Sequence, residues 1–469
     1  MRYATAFTEE LAAALHRHLQ RQDGQEDLCF ALWRPSRGAS RLTALITELV
    51  LPRRGDRRVH GNASFTARYF ERALGAAMAA RGGLALLHSH PGAMGWQGIS
   101  HDDAAAEGGH AGAAVGATGL PLLGLTLATG DGSWSARAWE RSAPRTYQPV
   151  WCDLVRVVGR RLSISTRSAA LPRESREELD RTVAAWGEAV QRRIESLTVG
   201  IVGLGSVGSI VCEMLARIGA GKIVLIDFDR AERVNRDRVL HLYDSDVRDG
   251  RLKIEIAAAA ARRAATAPGF EAVAVPYSVI EEEGFMAALD CDLLFSCVDR
   301  PWPRSALNFI AYAHLVPVVD GGIRLVQSVG GGVRRGDVRA HSVGPARACL
   351  ECLGQFAPED VALERDGYLD DPTYIASLPA GHHLKARQNV FAFSLMAAAL
   401  EAMHMLSMLV APAGLEFPAQ AYHFVPGSLD DVSTACKARC PYRAMTGTGD
   451  HAPISVTRRH DLAERVRLL

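Results

Sequence analysis

Neither sign of charge prevails in this sequence: 53 Lys and Arg stand against 52 Asp and Glu among 469 residues. The missing surplus removes the electrostatic case for nucleic acid or a charged membrane surface as partner. No apolar run is read as long enough to cross a bilayer, which takes about 20 residues. The opening residues Met1-Arg2-Tyr3-Ala4-Thr5 lead into an amphipathic helical pattern without the apolar core of a secretion signal. A cytoplasmic chain is therefore expected. Cysteines number nine, too few for a disulfide framework, and most should be thiols in a reducing compartment. There is no internal repeat and no low-complexity tract. What is present is an ordinary globular balance, 48% hydrophobic and 22% charged, in a length that suits two or three domains.

Phe7, Leu11, Ala14, Leu15 and Leu19 recur at helical spacing over residues 6–20. Strand-like runs follow around 28–34 and 42–51, a helix fits 66–81, and Gly82-Gly83 opens a strand from Leu84 to His88. This block, residues 1–148, mixes strands and helices without the alternation of a parallel sheet. Residues 149–195 read as a linker with a charged lead-in helix over 174–194, the segment 160–196 being rich in Arg, Ser and Glu. From Thr198 the style changes. Strands at 198–203, 222–227, 271–276 and 292–297 alternate with helices at 206–218 and 253–266, as βαβ units require. The expected class is α/β, with a mixed first domain and a Rossmann-like second domain over 196–469.

His88 and His90 sit two apart on a strand, so both imidazoles face one side and can converge on one ion. Pro91 ends the strand there. Downstream, Ser100-His101-Asp102-Asp103 precedes alanines suited to a helix start. A catalytic zinc takes three protein ligands and keeps one open position for water. The combination HxHP followed by SxxD resembles the JAMM/MPN metallopeptidases over roughly the first third of the chain. The resemblance implies a mixed α/β zinc isopeptidase with His88, His90 and Asp103 as ligands. It also implies Ser100 as donor to the oxyanion and a glutamate on an earlier strand as general base, an element that Glu48 matches. The loop from His90 to Ser100 runs two residues beyond the common spacing. Asp103 keeps the SxxD interval, and His101 and Asp102 remain as alternative ligands.

Gly203, Gly205 and Gly208 form GxGxxG between a strand and a helix, where backbone amides can bind phosphate at a positive helix terminus. With Asp227 closing the next strand, this alone suits NAD equally well. Asn235, Arg238 and Lys253 suit a triphosphate, and Asp299, at the end of a later strand, suits magnesium. Together these residues resemble the ubiquitin-activating superfamily, including the ThiF and MoeB sulfur-carrier activators, from about residue 178 to 445. The resemblance implies adenylation of a C-terminal carboxylate by ATP, and a homodimer in which Arg181 of the lead-in helix reaches a nucleotide site.

Cys349-Leu-Glu-Cys352 and Cys436-Lys-Ala-Arg-Cys440 offer a closed four-thiolate zinc site of the structural kind. The family has two such pairs, the second usually CxxC. Many members also carry an acceptor cysteine in the crossing loop, yet none lies between Gly354 and Asn389. Either the reaction stops at the adenylate, or a hydroxyl such as Thr373 or Ser377 accepts the acyl group with help from His382 or His383. The function expected is bifunctional: activation of a ubiquitin-like protein in a bacterial pathway, with zinc-dependent processing of its precursor or conjugates. A conjugating-enzyme-like partner is expected beside it. Sulfur-carrier maturation and activation is a second reading, and a scaffold with one degenerate site a third.

Overall fold

The computed structural model describes residues 1–167, 176–328, 330–379, 382–385, 388–410, 417–432, 435–452 and 459–468. They form two compact units, one of Met1–Glu174 with Ala313–Leu315 and Thr446–Pro453, the other of Ser175–Tyr312, Val316–Met445 and Ile454–Leu469.

The first unit runs β1 (Arg2–Thr8), α1 (Glu9–Leu19), β2 (Leu28–Arg37), β3 (Arg41–Val50), β4 (Arg57–His60), β5 (Asn62–Phe65), α2 (Ala67–Ala79) and β6 (Gly83–His90). It continues through α3 (His101–Thr118), β7 (Leu122–Ala128), β8 (Trp134–Ala143), β9 (Thr146–Trp151), β10 (Leu154–Val158) and β11 (Leu162–Thr166). Among the described residues nine strands form one mixed sheet, ordered β11-β10-β1-β3-β2-β6-β7-β8-β9. Side chains alternate across it with the period of two that pleating imposes. Cys29, Ala31 and Trp33 of β2 join Phe7, Leu15, Leu19 and Trp134 on one face. Leu28, Phe30 and Leu32 join Tyr69, Phe70, Leu86 and Trp139 on the other, where α2 and α3 pack. Thr8, Thr66 and Ser100 cap the three helices through their side-chain oxygens, satisfying amides that the helix itself leaves free.

Residues 149–167 correct the linker expectation. They belong to strands β9, β10 and β11 of this sheet. Leu154, Val155, Val158, Leu162 and Ile164 are buried, an alternating strand pattern that merges in sequence with the Arg-, Ser- and Glu-rich segment after it.

The second unit begins with α4 (Asp180–Trp186) and α5 (Glu188–Ser196). The expected single lead-in helix is thus split, because Gly187 takes φ 84°, a left-handed value that no helix interior accepts. Then come β12 (Thr198–Val202), α6 (Ser206–Arg217), β13 (Lys222–Ile226), α7 (Asp244–Arg248), α8 (Lys253–Ala264), β14 (Glu271–Val275), α9 (Glu282–Leu289) and β15 (Leu293–Ser296). Next are α10 (Pro301–Ala313), β16 (Val318–Gln327), β17 (Val333–Val343), α11 (Pro358–Arg365), α12 (Pro372–Ser377) and α13 (Phe391–Val410). The chain ends with β18 (Gln420–His423), β19 (Ser428–Asp431), α14 (Pro441–Ala444) and α15 (Asp461–Leu468).

Its sheet is ordered β14-β13-β12-β15-β16-β17-β18-β19. The first five strands are parallel and the last four pair antiparallel. The βαβ alternation makes this half Rossmann-like, with its turns gathered at the carboxyl ends of the strands. Among the described residues one helix, α13, is long and apolar enough to cross a bilayer, which corrects the expectation that none would be. Here it packs on β16, β17 and α6 and buries Glu401 and His404 along with its apolar residues.

In the first unit Glu107 and Arg137 are both fully buried. Arg137 Nε donates to Glu107 Oε2 at 2.8 Å, and Trp139 Nε1 donates to the same oxygen at 2.6 Å. Replacing Glu107 by Leu leaves a guanidinium buried without its counter-charge. Such a broken pair costs about 3–5 kcal/mol, and calorimetry of Glu107→Leu should show the first unit unfolding at markedly lower temperature.

Candidate functional site

Two constellations stand at strand ends, one in each unit. In the first, β6 sends His88 and His90 to the face covered by α3. Their Nε2 atoms are 3.3 Å apart, and Asp103 Oδ2 lies 3.5 Å from His88 Nε2 and 3.7 Å from His90 Nε2. A tetrahedral zinc with arms of about 2.0–2.1 Å needs its ligand atoms about 3.3–3.4 Å apart. The donor set and its spacing fit that ion with a small contraction. Burial works against charge on Asp103, yet the adjoining imidazoles of His88 and His90 hold its carboxyl well below the usual range.

Asp103 is placed by a capping box. Ser100 Oγ accepts the Asp103 amide at 3.1 Å and the Ser100 amide donates to Asp103 Oδ2 at 3.4 Å, the reciprocal pattern that starts a helix; Ser100 Oγ also donates to Asp103 Oδ2 at 2.7 Å. His101 and Asp102, the alternative ligands, point to solvent with side chains 98% and 83% exposed. The geometry therefore gathers His88, His90 and Asp103.

Glu48 does not join them, a correction to its expected role. It is exposed and pairs with Leu32 of β2, whereas His88 pairs with Leu28. Four residues of strand separate the two levels, about 13 Å. Glu26, just before β2, stands at the histidines instead. Burial raises its carboxyl above the usual range, the charges of His88 and His90 pull it back, and Asp103 pushes it up. Asp27 holds this corner: its amide donates to Ser89 Oγ at 3.1 Å, and its carboxylate takes Arg57 at 2.8 Å. Ser89 Oγ in turn donates to the Leu19 carbonyl at 2.8 Å. Sequence reasoning missed Glu26 because it lies just before β2 rather than on a strand, and only the pairing register of β2 with β6 brings it level with the histidines.

In the second unit the turn after β12 needs its glycines. Gly203 has φ 90°, and a Cβ on Gly208 would fall 1.9 Å from the Gly203 carbonyl oxygen. This close approach brings the amino end of α6 over the strand end, where its free amides face outward. Asp227 accepts the amides of Leu204 and of Asp229, the latter at 2.7 Å. Burial, and then the neighbouring Asp229, push its carboxyl above the usual range. Lys253, at the first turn of α8, meets Asp229 at 2.7 Å. Burial would lower its ammonium, but Asp229, Asp227 and Asp299 together hold it above the ordinary value.

Asn235 is buried and accepts the Glu232 amide at 3.3 Å. Arg238 folds back on its own turn, donating to Val234 O at 2.6 Å and pairing with Asp237 at 2.7 Å. Arg181 is exposed on α4. The helix after it is fastened to the far end of α6, where Gln191 donates to Ile218 O at 2.9 Å. Leu179, two residues before Arg181, lies against Gly219 at the same end, so within this chain Arg181 belongs to the end of α6 away from the glycine turn.

Cys349, Cys352, Cys436 and Cys440 converge, with all four sulfurs within 4.8 Å of one another. Cys349 and Cys440 sulfurs are 3.6 Å apart, close to the edge of a thiolate tetrahedron with arms of about 2.3 Å. Backbone amides of Cys349, Cys352 and Lys437 donate to sulfurs of the group at 3.2–3.4 Å. In the crossing segment, Thr373 Oγ1 donates to Asp371 at 2.6 Å and Ser377 Oγ to Tyr374 O at 2.7 Å. His383 pairs with Asp360 at 2.8 Å and stacks on His382. Among the described residues neither hydroxyl is brought to a histidine base.

Residues 179–425 match the ThiF family. Among curated relatives, ubiquitin-like modifier-activating enzyme 5 of Drosophila sechellia is 30% identical over 190 residues, covering 37% of this chain and 44% of that protein. Its counterpart in Bombyx mori is 33% identical over 127 residues, 25% of this chain and 31% of that protein. The chain thus spans less than half the length of these relatives. Among solved structures, E. coli MccB with ATP aligns at a TM-score of 0.43 and 17% identity, over 60% of this chain and 77% of that one. Because the family match takes in more than half of the sequence, including the glycine turn, Asp227, Lys253, Asp299 and the first cysteine pair, the chain belongs to the ThiF family.

Proposed function

We propose that the ThiF half activates the C-terminal glycine of a ubiquitin-like protein with ATP, and that the N-terminal half is a zinc isopeptidase acting on the same carrier's precursor or conjugates. A bacterial conjugation pathway with a conjugating-enzyme-like partner fits this pairing. The observation that carries the first part is Lys253, a cation held among Asp227, Asp229 and Asp299 beside an amide-lined turn. An NAD dehydrogenase would use Asp227 but has no work for Lys253 and Asp299. The curated relatives named above are themselves activating enzymes of ubiquitin-like modifiers, which supports the choice of substrate.

Amides at the start of α6 would hold the phosphates, and Asp227, with lone pairs left over, would accept from the ribose hydroxyls. Lys253 would neutralise charge on the phosphates. Asp299, exposed at its strand end, would hold magnesium, which screens the triphosphate. The carrier's terminal carboxylate attacks the α-phosphorus, the bond to the β-phosphate oxygen breaks, and pyrophosphate leaves with the acyl-adenylate formed. Positioning supplies most of the rate. The crossing segment has no cysteine, and Thr373 and Ser377 are committed to their own helix. Both facts favour direct handover of the adenylate over an enzyme-bound ester. In a homodimer Arg181 would serve the second subunit's nucleotide.

In the first unit His88, His90 and Asp103 would hold zinc, which when bound polarises a carbonyl and acidifies its water. Glu26 would take the proton of the attacking water and return it to the leaving amine, a task suited to a carboxyl raised above its ordinary range. Ser100 sits beside this centre, and its hydroxyl would turn from Asp103 to the developing oxyanion.

Elemental analysis should find about two zinc ions per chain, about one after Cys436→Ser and about one after His88→Ala. Pyrophosphate exchange with a glycine-ended ubiquitin-like protein should fall about 100-fold or more in Lys253→Ala; no exchange with any such carrier would sink the activating role. Cleavage of a fused carrier should fall by about 100-fold or more in Glu26→Gln, while Glu48→Gln should match the unaltered protein.

A further inference from the structure

Gln97 lies in the loop between His90 and Ser100, the one longer than the common spacing. Its Oε1 is 3.3 Å from His90 Nδ1. Its amide nitrogen donates to Met94 O at 2.9 Å and to Gly95 O at 3.1 Å. A carboxamide nitrogen carries two protons and no free lone pair, so both protons are committed to carbonyls. Turning the amide over would set its oxygen against two carbonyl oxygens. The oxygen is therefore the atom that faces His90.

The loop itself is fastened. Gly92 and Gly95 each take φ 71°, a left-handed value. Gly92 N donates to Thr129 Oγ1 at 2.8 Å, and Gly95 N to Asp131 Oδ2 at 2.9 Å. Gly130 N donates to Ala93 O at 2.8 Å. These bonds tie the loop to the turn between β7 and β8, so the carboxamide is held before anything binds.

We infer that Gln97 is a positioning residue that selects the tautomer of His90 for metal binding. An amide oxygen only accepts, so His90 Nδ1 must carry the proton. Nε2 is then left with its lone pair, aimed at the space it shares with His88 Nε2 and Asp103 Oδ2, 3.3 Å and 3.7 Å away. A free imidazole side chain in water prefers the opposite arrangement, with the proton on Nε2, which would block ligation. The bond to Gln97 sets ring orientation and tautomer together, the service an outer partner gives a metal-binding histidine. The inference rests on the zinc reading of this site, and the test separates the two.

The experiment uses the full chain with labelled histidine. After removal of metal from the histidine site, long-range 1H–15N spectra should show His90 protonated at Nδ1, and Gln97→Leu should move it to Nε2. Zinc affinity of that site, measured by competition with a chelator, should fall about 10- to 100-fold in Gln97→Leu. Gln97→Glu keeps an acceptor for Nδ1 but loses both amide donors, and should retain most of the affinity. An Nε2-protonated His90 in the unaltered chain, or unchanged zinc affinity in Gln97→Leu, overturns the assignment. Equal loss in the Leu and Glu variants also overturns it, since that is the signature of loop anchoring alone. A chain that takes up only the four-cysteine zinc defeats the hydrolase reading, and the tautomer spectra still decide the role of Gln97.

Discussion

A buried carboxylate, Asp227, accepts the amides of Leu204 and Asp229, and so binds the end of one parallel strand to the glycine turn that follows its neighbour. The geometry of the second unit follows from this. The turn can sit there only because Gly208 lets α6 approach the Gly203 carbonyl. Removing the Asp227 charge from water is costly, and the nearby Asp229 makes it more so. Lys253 offsets both, which anchors the start of α8 at the same place. One cation shared among acids thus draws the ends of β13 and β15 and the start of α8 into a single corner.

The first unit solves a similar problem with different local rules. Strand pleating puts His88 and His90 on one face, and a capping box puts Asp103 beneath them. Neither device involves a long-range ion pair. Asp103 is ordinary for a helix start in sequence and geometry; only the histidine pair across the gap sets it apart. The four cysteines obey a third rule. Two short spacings bring sulfurs together in pairs, and backbone amides donating to them spread the charge that a set of thiolates would concentrate.

Local chemistry is what the sequence made legible. HxH on a strand, SxxD at a helix start, GxGxxG between strand and helix, and the two cysteine pairs are each short enough that spacing alone predicts convergence. The choice of Asp103 over Asp102 and His101 needed only the cap. Features set by pairing register were not legible. Glu48 lies on a core strand and Glu26 just before one, so Glu26 emerges only once β2 is laid against β6. Residues 149–167 misled in a related way: Arg156 is fully buried in the sheet, and a buried arginine counted as solvent-facing makes a strand look like linker. Gly187 was visible in the sequence, but glycine within a helical pattern does not by itself say that the helix stops.

The Ser100–Asp103 cap also bears on how such a site can change over evolutionary time. Ser100 and Asp103 are locked together by reciprocal bonds, so they travel as one cassette with the first turn of α3. Residues can then be added to or removed from the stretch before Ser100 without altering the distance from Ser100 to Asp103. The distance from Ser100 to Asp103 then holds whatever the length of the loop, and side chains of the loop, Gln97 among them, can be changed against the histidines without moving Asp103.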